Sequence, residues 1–313
     1  LALGDMELEL GLYEAALRTL RRVLALGPRS PARGGSTAWR RATSRNGQPG
    51  PTEADVRRLV GEALACLGRP AEAEAELRRA LALAPDPVVL LSLATVCEQD
   101  GRVREARVWV LRALRLDSSD LEARYRLGTL HMWTAPHRAE RLFRQVIDRA
   151  PEHAMALSGL GLLLGLRGAF DEADEVLRRA TEAGGAGALP HVYRGHHHLH
   201  QGRVQEALDA YRDGLRAAPG DPHPFFAIGD LHRQEGRDAE AREAYRDALD
   251  LDPRCGDAVL RLASLDEEEG RLDEALRNYR RGLELCPQHP WAKEAGRAIE
   301  RLARRPRDAV SGA

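Results

Sequence analysis

The sequence predicts an all-α chain folded as an α–α superhelix, a solenoid of about eight helix–turn–helix repeats closed by a C-terminal capping helix. Three observations carry this. The first is a fixed 34-residue period. The stretch His223 to Pro253 holds Gly229, Gly236, Ala241, Tyr245, Ala248 and Pro253. One period earlier stand Gly195, Gly202, Ala207, Tyr211, Gly214 and Pro219; one period later stand Ala263, Gly270, Ala275, Tyr279, Gly282 and Pro287. The second is helical spacing of the apolar residues between these marks: Ile228, Leu231, Ala241, Ala244, Tyr245, Ala248, Leu249 and Leu251 recur at three- and four-residue steps, unlike a strand. The third is punctuation. Gly236 is placed to end the first helix in the left-handed region, and Pro253 to stop the second. Gly229 and Ala241 keep the helix crossing free of bulk.

These residues resemble the tetratricopeptide repeat (TPR) family, and the resemblance covers most of the chain. Residues 1–28 read as a partial first repeat, with Gly4, Gly11, Ala16 and Pro28 in register. Residues 29–53 lose all periodicity and are rich in Gly, Pro, Ser and Arg, the composition of a disordered insertion or linker. Within it Arg40-Arg41-Ala42-Thr43 has the look of a basophilic-kinase site. The array proper is expected over 54–288. Repeat two carries Gly61, Gly68, Ala73, Ala80 and Pro85, and repeat three Ala94, Gly101, Ala106 and Ala113, with Ser118 in place of proline. Repeat four has an altered turn, one residue shorter and containing Pro136. Repeat five has Gly161, Gly168, Ala173 and Ala180 and ends in Gly184-Gly185-Ala186-Gly187; repeats six to eight follow from about Ala188. Residues 289–305 form the expected capping helix, with Trp291, Ala295, Ala298, Ile299 and Leu302 as its buried stripe, and 306–313 a tail.

A net charge of −1 with 30% charged residues gives no nucleic-acid-binding character. Only Lys293 among 47 basic residues is a lysine, which fits a GC-rich genome better than a guanidinium-specific role. Cys66, Cys97, Cys255 and Cys286 lack metal-ligand spacing and are expected to be reduced thiols, with no Cys255–Cys286 disulfide. No membrane-spanning segment or signal peptide is visible, and the expected localisation is cytoplasmic. The start at Leu1, without methionine, leads us to expect that a leader or further repeats are missing.

The resemblance implies a partner-binding concave groove lined by the first helices, at positions 2, 5, 9, 12 and 13 of each repeat. Repeat four then presents Tyr125, Thr129, Met132 and Trp133, and repeat five Met155, Ser158, Leu162 and Leu166. Repeat six presents Leu189, Val192, His196, Leu199 and His200; repeat seven presents His223, Phe226, Asp230, Arg233 and Gln234. Repeat eight turns acidic with Asp257, Glu267 and Glu268. A groove apolar in its middle and negative at its end would suit a peptide with apolar anchors and a basic end. The lysine- and asparagine-based carboxylate clamp that reads Hsp70 and Hsp90 tails is absent, as is the asparagine ladder of the O-linked N-acetylglucosamine transferase array.

His196 and His200, four residues apart, could hold a metal with His223 and Asp230, but packed or solvated imidazoles are the more economical reading, so no metal or cofactor is expected. A groove that gains charge below about pH 6.5 lies between these two. Phosphate-cradling and nucleophile-elbow motifs are absent. The sequence therefore reads as a non-enzymatic adaptor or scaffold that binds a protein segment. The alternative is an accessory array of an enzyme, such as a glycosyltransferase, or of an assembly machine whose catalytic part lies outside this chain.

Overall fold

The computed structural model describes residues 6–8, 10–26, 52–185, 187–286 and 291–304. The calls at 29–51, including Arg40 to Thr43, and at 305–313 lie outside them, as do Gly4, Pro28, Ala186 and Pro287. Among the described residues are sixteen α-helices of 11 to 14 residues, and no strands. Two units divide the chain, Leu1–Leu130 and His131–Ala313.

The first unit holds α1 (Tyr13–Leu26), α2 (Glu53–Cys66), α3 (Pro70–Leu83), α4 (Pro87–Gln99), α5 (Val103–Leu116) and α6 (Leu121–His131). Leu17 and Leu20 of α1 join Val56, Leu59, Val60, Leu64, Leu77 and Leu93 in one core, so the partial first repeat is docked on α2. Thr52 and Glu53, at the end of the segment expected to be unstructured, instead cap and open α2. The Thr52 hydroxyl accepts from the Asp55 amide at 3.2 Å while the Asp55 carboxylate accepts from the Thr52 amide at 2.7 Å, a reciprocal cap contributing about 1 kcal/mol.

The second unit holds α7 (Pro136–Arg149), α8 (Ala154–Leu166), α9 (Phe170–Ala183), α10 (Leu189–His200), α11 (Val204–Ala217), α12 (His223–Gln234), α13 (Asp238–Leu251), α14 (Gly256–Glu268), α15 (Leu272–Leu285) and α16 (Ala292–Ala303). Helices α8/α9, α10/α11, α12/α13 and α14/α15 pack as pairs, and α16 closes the last pair with Ala295, Ala298 and Leu302 against Leu260 and Tyr279. In the turn of repeat six Gly202 has φ 73°, and the Arg203 amide donates to the His198 carbonyl at 2.9 Å. That closes the first helix while the chain reverses. The same device recurs at Gly68, Gly236 and Gly270.

The glycines inside the first helices have a different task. Gly61, Gly161, Gly195 and Gly229 each lie beneath a large side chain sixteen residues later in the second helix. A methyl group built on Gly61, Gly161 or Gly229 would sit 2.5 to 2.6 Å from Leu77, Leu177 or Tyr245, and one on Gly195 would sit closer still to the Tyr211 ring. Tyr211 and Tyr245 are fully buried as a result. The sequence marks these glycines as points of close helix approach; the structure shows that a ring or a leucine fills the space.

Gly195→Ala and Gly229→Ala are therefore expected to overpack the pair and to cost about 1–3 kcal/mol each. Gly296→Ala in α16, where nothing lies within 4 Å, is expected to stabilise by about 0.5–1 kcal/mol. Urea unfolding followed by circular dichroism checks both signs in one series.

Candidate protein-binding face

The first helix of repeat five, α8, reads AMALSGLGLLLGL and is apolar all round. Its three inner glycines are each covered from a different helix: Phe143 of α7 lies on Gly159, Leu177 of α9 on Gly161, and His197 of α10 on Gly165. With neighbours that close, Ser158 is wholly buried, contrary to its expected place in the groove, and its hydroxyl donates to the Ala154 carbonyl at 2.7 Å. Met155 and Leu162 are half-buried and Leu166 is 47% exposed.

Repeat four departs from the others at its turn. Helix α6 ends at His131, so Met132 and Trp133 belong to the turn and not to the first helix where the register put them. No glycine is present there. The Thr134 and Ala135 amides both donate to the His131 carbonyl, at 3.1 and 2.8 Å, and Pro136 opens α7. Beside this turn is a cleft of about 280 Å³ lined by Met132, Trp133, Pro136, Leu163 and Leu166, with His137, Glu140 and Arg167 at its edge. Met132 is 7% exposed and forms the floor, whereas Trp133 is 73% exposed. The charged edge is held by Arg167 on Glu140 at 3.0 Å and by Arg144 on Glu140 and Glu172 at 3.1 and 2.6 Å. Sequence reasoning missed Leu163, His137, Glu140 and Arg167. The signal available in the sequence is the short turn containing Pro136.

Elsewhere the expected groove residues are largely committed to internal contacts. Tyr125, in the first unit, is half-buried. Val192 is buried at 5% exposure, so it belongs to the core. His196 sits edge-on to the Tyr211 ring at 5.7 Å, and His200 is exposed. His223 is exposed, with Nδ1 2.6 Å from Asp221. Phe226 packs on Tyr245 at 5.8 Å, with the Arg261 guanidinium 5.8 Å from its ring. Asp230 accepts from the Tyr245 hydroxyl at 2.5 Å and from Arg261 at 2.9 Å. Burial, with Asp230 beside it, raises the Tyr245 pKa, so the phenol stays protonated and donates. The acidic residues of repeat eight are answered as well: Glu267 by Arg301 at 2.5 Å, Glu268 by Arg233. Among the described residues no three His, Cys, Asp or Glu side chains are grouped to hold a metal ion. Among the described residues Cys66, Cys97, Cys255 and Cys286 form no disulfide.

One buried charge remains. Asp266 is 3% exposed and accepts from Arg242 at 2.7 Å, Arg271 at 2.9 Å and Asn278 at 2.8 Å, below a cleft of about 240 Å³ that Arg246, Glu274 and Arg277 also line. Both its oxygens are satisfied, which gives it a structural role. Asp266→Ala leaves Arg242 and Arg271 paired with Glu269 and Glu274 but removes their shared buried acceptor and that of Asn278, and is expected to cost about 1–3 kcal/mol, read as a lower urea midpoint.

The histidines of repeats six and seven set an acid limit. Burial lowers the pKa of His191, His196, His197, His198 and His232 below the ordinary 6.5. Arg203 adds to this at His197 and His198, against the opposing pull of Asp174 and Glu206. In the folded chain these imidazoles resist protonation, whereas in the unfolded chain they take it up near 6.5. Their neutral packing is thus favourable above pH 6.5 and is progressively lost below it. The urea midpoint should fall between pH 7 and pH 5, ahead of carboxylate titration. The double variant H197Q/H198Q should show a smaller fall over the same range.

The tetratricopeptide repeat family profile matches residues 33–88, 67–120, 136–188, 167–222 and 226–290, and the chain belongs to this family. Among solved structures it resembles a tetratricopeptide repeat protein from Parabacteroides merdae, at 15% identity and TM-score 0.56, over 79% of this chain and 99% of that one. It also resembles yeast Tom70, at 16% identity and TM-score 0.64, over 93% of this chain, and a chain of the APC/C hetero-tetramer Cut9–Hcn1, at 14% identity and TM-score 0.56, over 96%. The match spans only 58% and 54% of those two longer chains. At such identities the likeness is one of fold. No curated protein is similar in sequence to this chain. Among the described residues no helix is long and apolar enough to cross a membrane.

Proposed function

We propose that the protein is a non-enzymatic scaffold in the cytoplasm that holds a segment of another protein, and that the cleft beside the turn of repeat four receives the segment's apolar anchor. The observation that carries this reading is Trp133. A tryptophan 73% exposed over Met132, Leu163 and Leu166 leaves a large apolar surface in water, and such surface on a folded chain marks a protein contact. The flanking Glu140–Arg167 pair supplies donors and acceptors at the cleft's edge. Membership of a repeat family whose solved members include a chain of a hetero-tetrameric assembly supports the class of function. Phe226, Asp230 and Val192 are not part of this surface, because their side chains already have partners or are buried.

The test is affinity capture with mass spectrometry, comparing the wild type with Trp133→Glu/Leu166→Glu after helicity is matched by circular dichroism. A partner held through this cleft should bind the variant about 30-fold more weakly, the loss of an anchor worth about 2 kcal/mol. A partner retained equally by both proteins would remove the cleft from the binding site.

A further inference from the structure

Helix α5, the second helix of repeat three, turns to solvent a face that its own surroundings leave incomplete. Val108 and Leu111 are 49% and 41% exposed, and Arg104, Arg107, Arg112 and Arg115 surround them. On several other second helices outer arginines find an acid one turn away, as Arg78 does with Glu74, Arg79 with Glu76, Arg178 with Glu175 and Glu182, and Arg212 with Asp209. The sequence VREARVWVLRALRL holds one acid, Glu105, and Arg102 binds it at 3.1 Å. None of the four α5 arginines meets a carboxylate among the described residues; Arg112 lies 4.8 Å from the Trp109 ring and remains exposed.

Helix α13 carries the opposite pattern. Glu240, Glu243, Asp247 and Asp250 are all exposed, and none joins an ion pair among the described residues, although Glu240 lies near enough to His232 to favour its charged form. Arg242 of the same helix is spent on Asp266, and Arg246 lines the neighbouring cleft. Partial burial, with the like charges of Asp250 and Glu243, raises the Asp247 pKa above its ordinary value.

The two stripes match in spacing. The arginines of α5 follow one another at steps of 3, 5 and 3 residues, the carboxylates of α13 at 3, 4 and 3. These are spans of about 16 and 15 Å at the helical rise. Laid antiparallel, Arg104, Arg107, Arg112 and Arg115 face Asp250, Asp247, Glu243 and Glu240, and exposed Val103 comes beside exposed Leu251.

We infer that α5 of one molecule docks on α13 of a second copy, so that the protein associates with itself head to tail. A polyphosphate would satisfy the arginines but leave Val108 and Leu111 in water, whereas a protein helix covers both. A net charge of −1 puts no general repulsion in the way. Each copy presents both faces, so every molecule both offers and accepts the contact.

Sedimentation velocity of the full chain at about 0.01 M and about 1 M salt, where the screening length falls from about 30 Å to about 3 Å, is the test. The wild type should grow with concentration at low salt and be monomeric at high salt. The charge-reversed variants R104E/R107E/R112E/R115E and E240R/E243R/D247R/D250R, at unchanged helicity, should each stay monomeric alone. Their equimolar mixture should associate, because each then carries the complement of the other's altered helix. Should a fourfold reversal reduce helicity, R107E and D247R make the same comparison, each weakening association and the mixture restoring it. A wild type that stays monomeric at low salt, a reversed variant that still associates, or a mixture that does not, overturns the proposal.

Discussion

The fold depends on an exchange of volume between the two helices of a repeat. At one position the first helix gives up its side chain, and sixteen residues later the second helix supplies a large one that fills the space. Gly61 with Leu77, Gly161 with Leu177, Gly195 with Tyr211, and Gly229 with Tyr245 all keep this offset. Neither residue alone explains the packing. A glycine in a helix interior costs about 0.5–1 kcal/mol relative to alanine, which the burial of a whole tyrosine or leucine offsets. In repeat four one residue is missing, and the large side chain, Phe143, comes one position early. Its ring lies on Gly159 of the next first helix. That displacement helps make α8 the most enclosed helix of its unit, with glycines receiving side chains from three neighbours.

Much of this was legible in the sequence, because the turn glycines, the small residues and the prolines recur at one period and each has a local physical reason to be there. The filling of the glycine sites was legible in principle, since the offset of sixteen is also written in the chain, but it asks for residues to be read in pairs. Burial on the first-helix face was not. Ser158, Val192 and Met132 occupy register positions that face a groove in the family, yet their exposure depends on how closely the neighbouring helices approach. That distance is set by Gly159, Gly161 and Gly165, which lie on other faces of α8. A register assigns direction from the helix axis; it carries no information on what stands there.

Charge shows the same limit. The carboxylates of repeats seven and eight look like a negative end to a groove, but Asp230, Glu267 and Glu268 each receive an arginine from a neighbouring helix. These pairs join residues about thirty positions apart, one repeat along the stack, just as Arg203 reaches Asp174 and Arg102 reaches Glu74. Such a ladder ties successive repeats through partly exposed pairs, each contributing about 0.2–1 kcal/mol. On α5 and α13 no such ladder reaches the outer charges, and each helix keeps a stripe of one sign.

The turn of repeat four shows how an exposed anchor arises in such an array. In the other repeats a left-handed glycine closes the first helix and carries the next amide back to a free carbonyl, so the corner position itself bears no side chain. Without that glycine, α6 ends after eleven residues, two amides share the His131 carbonyl, and Pro136 restarts the chain without needing a hydrogen-bond partner for its nitrogen. Two residues that would have completed the helix now form the corner. Met132 turns inward and Trp133 turns out over Leu166. A single shortened turn thus moves one tryptophan off the helical surface, where its register position put it, to an edge where most of its ring stands in water.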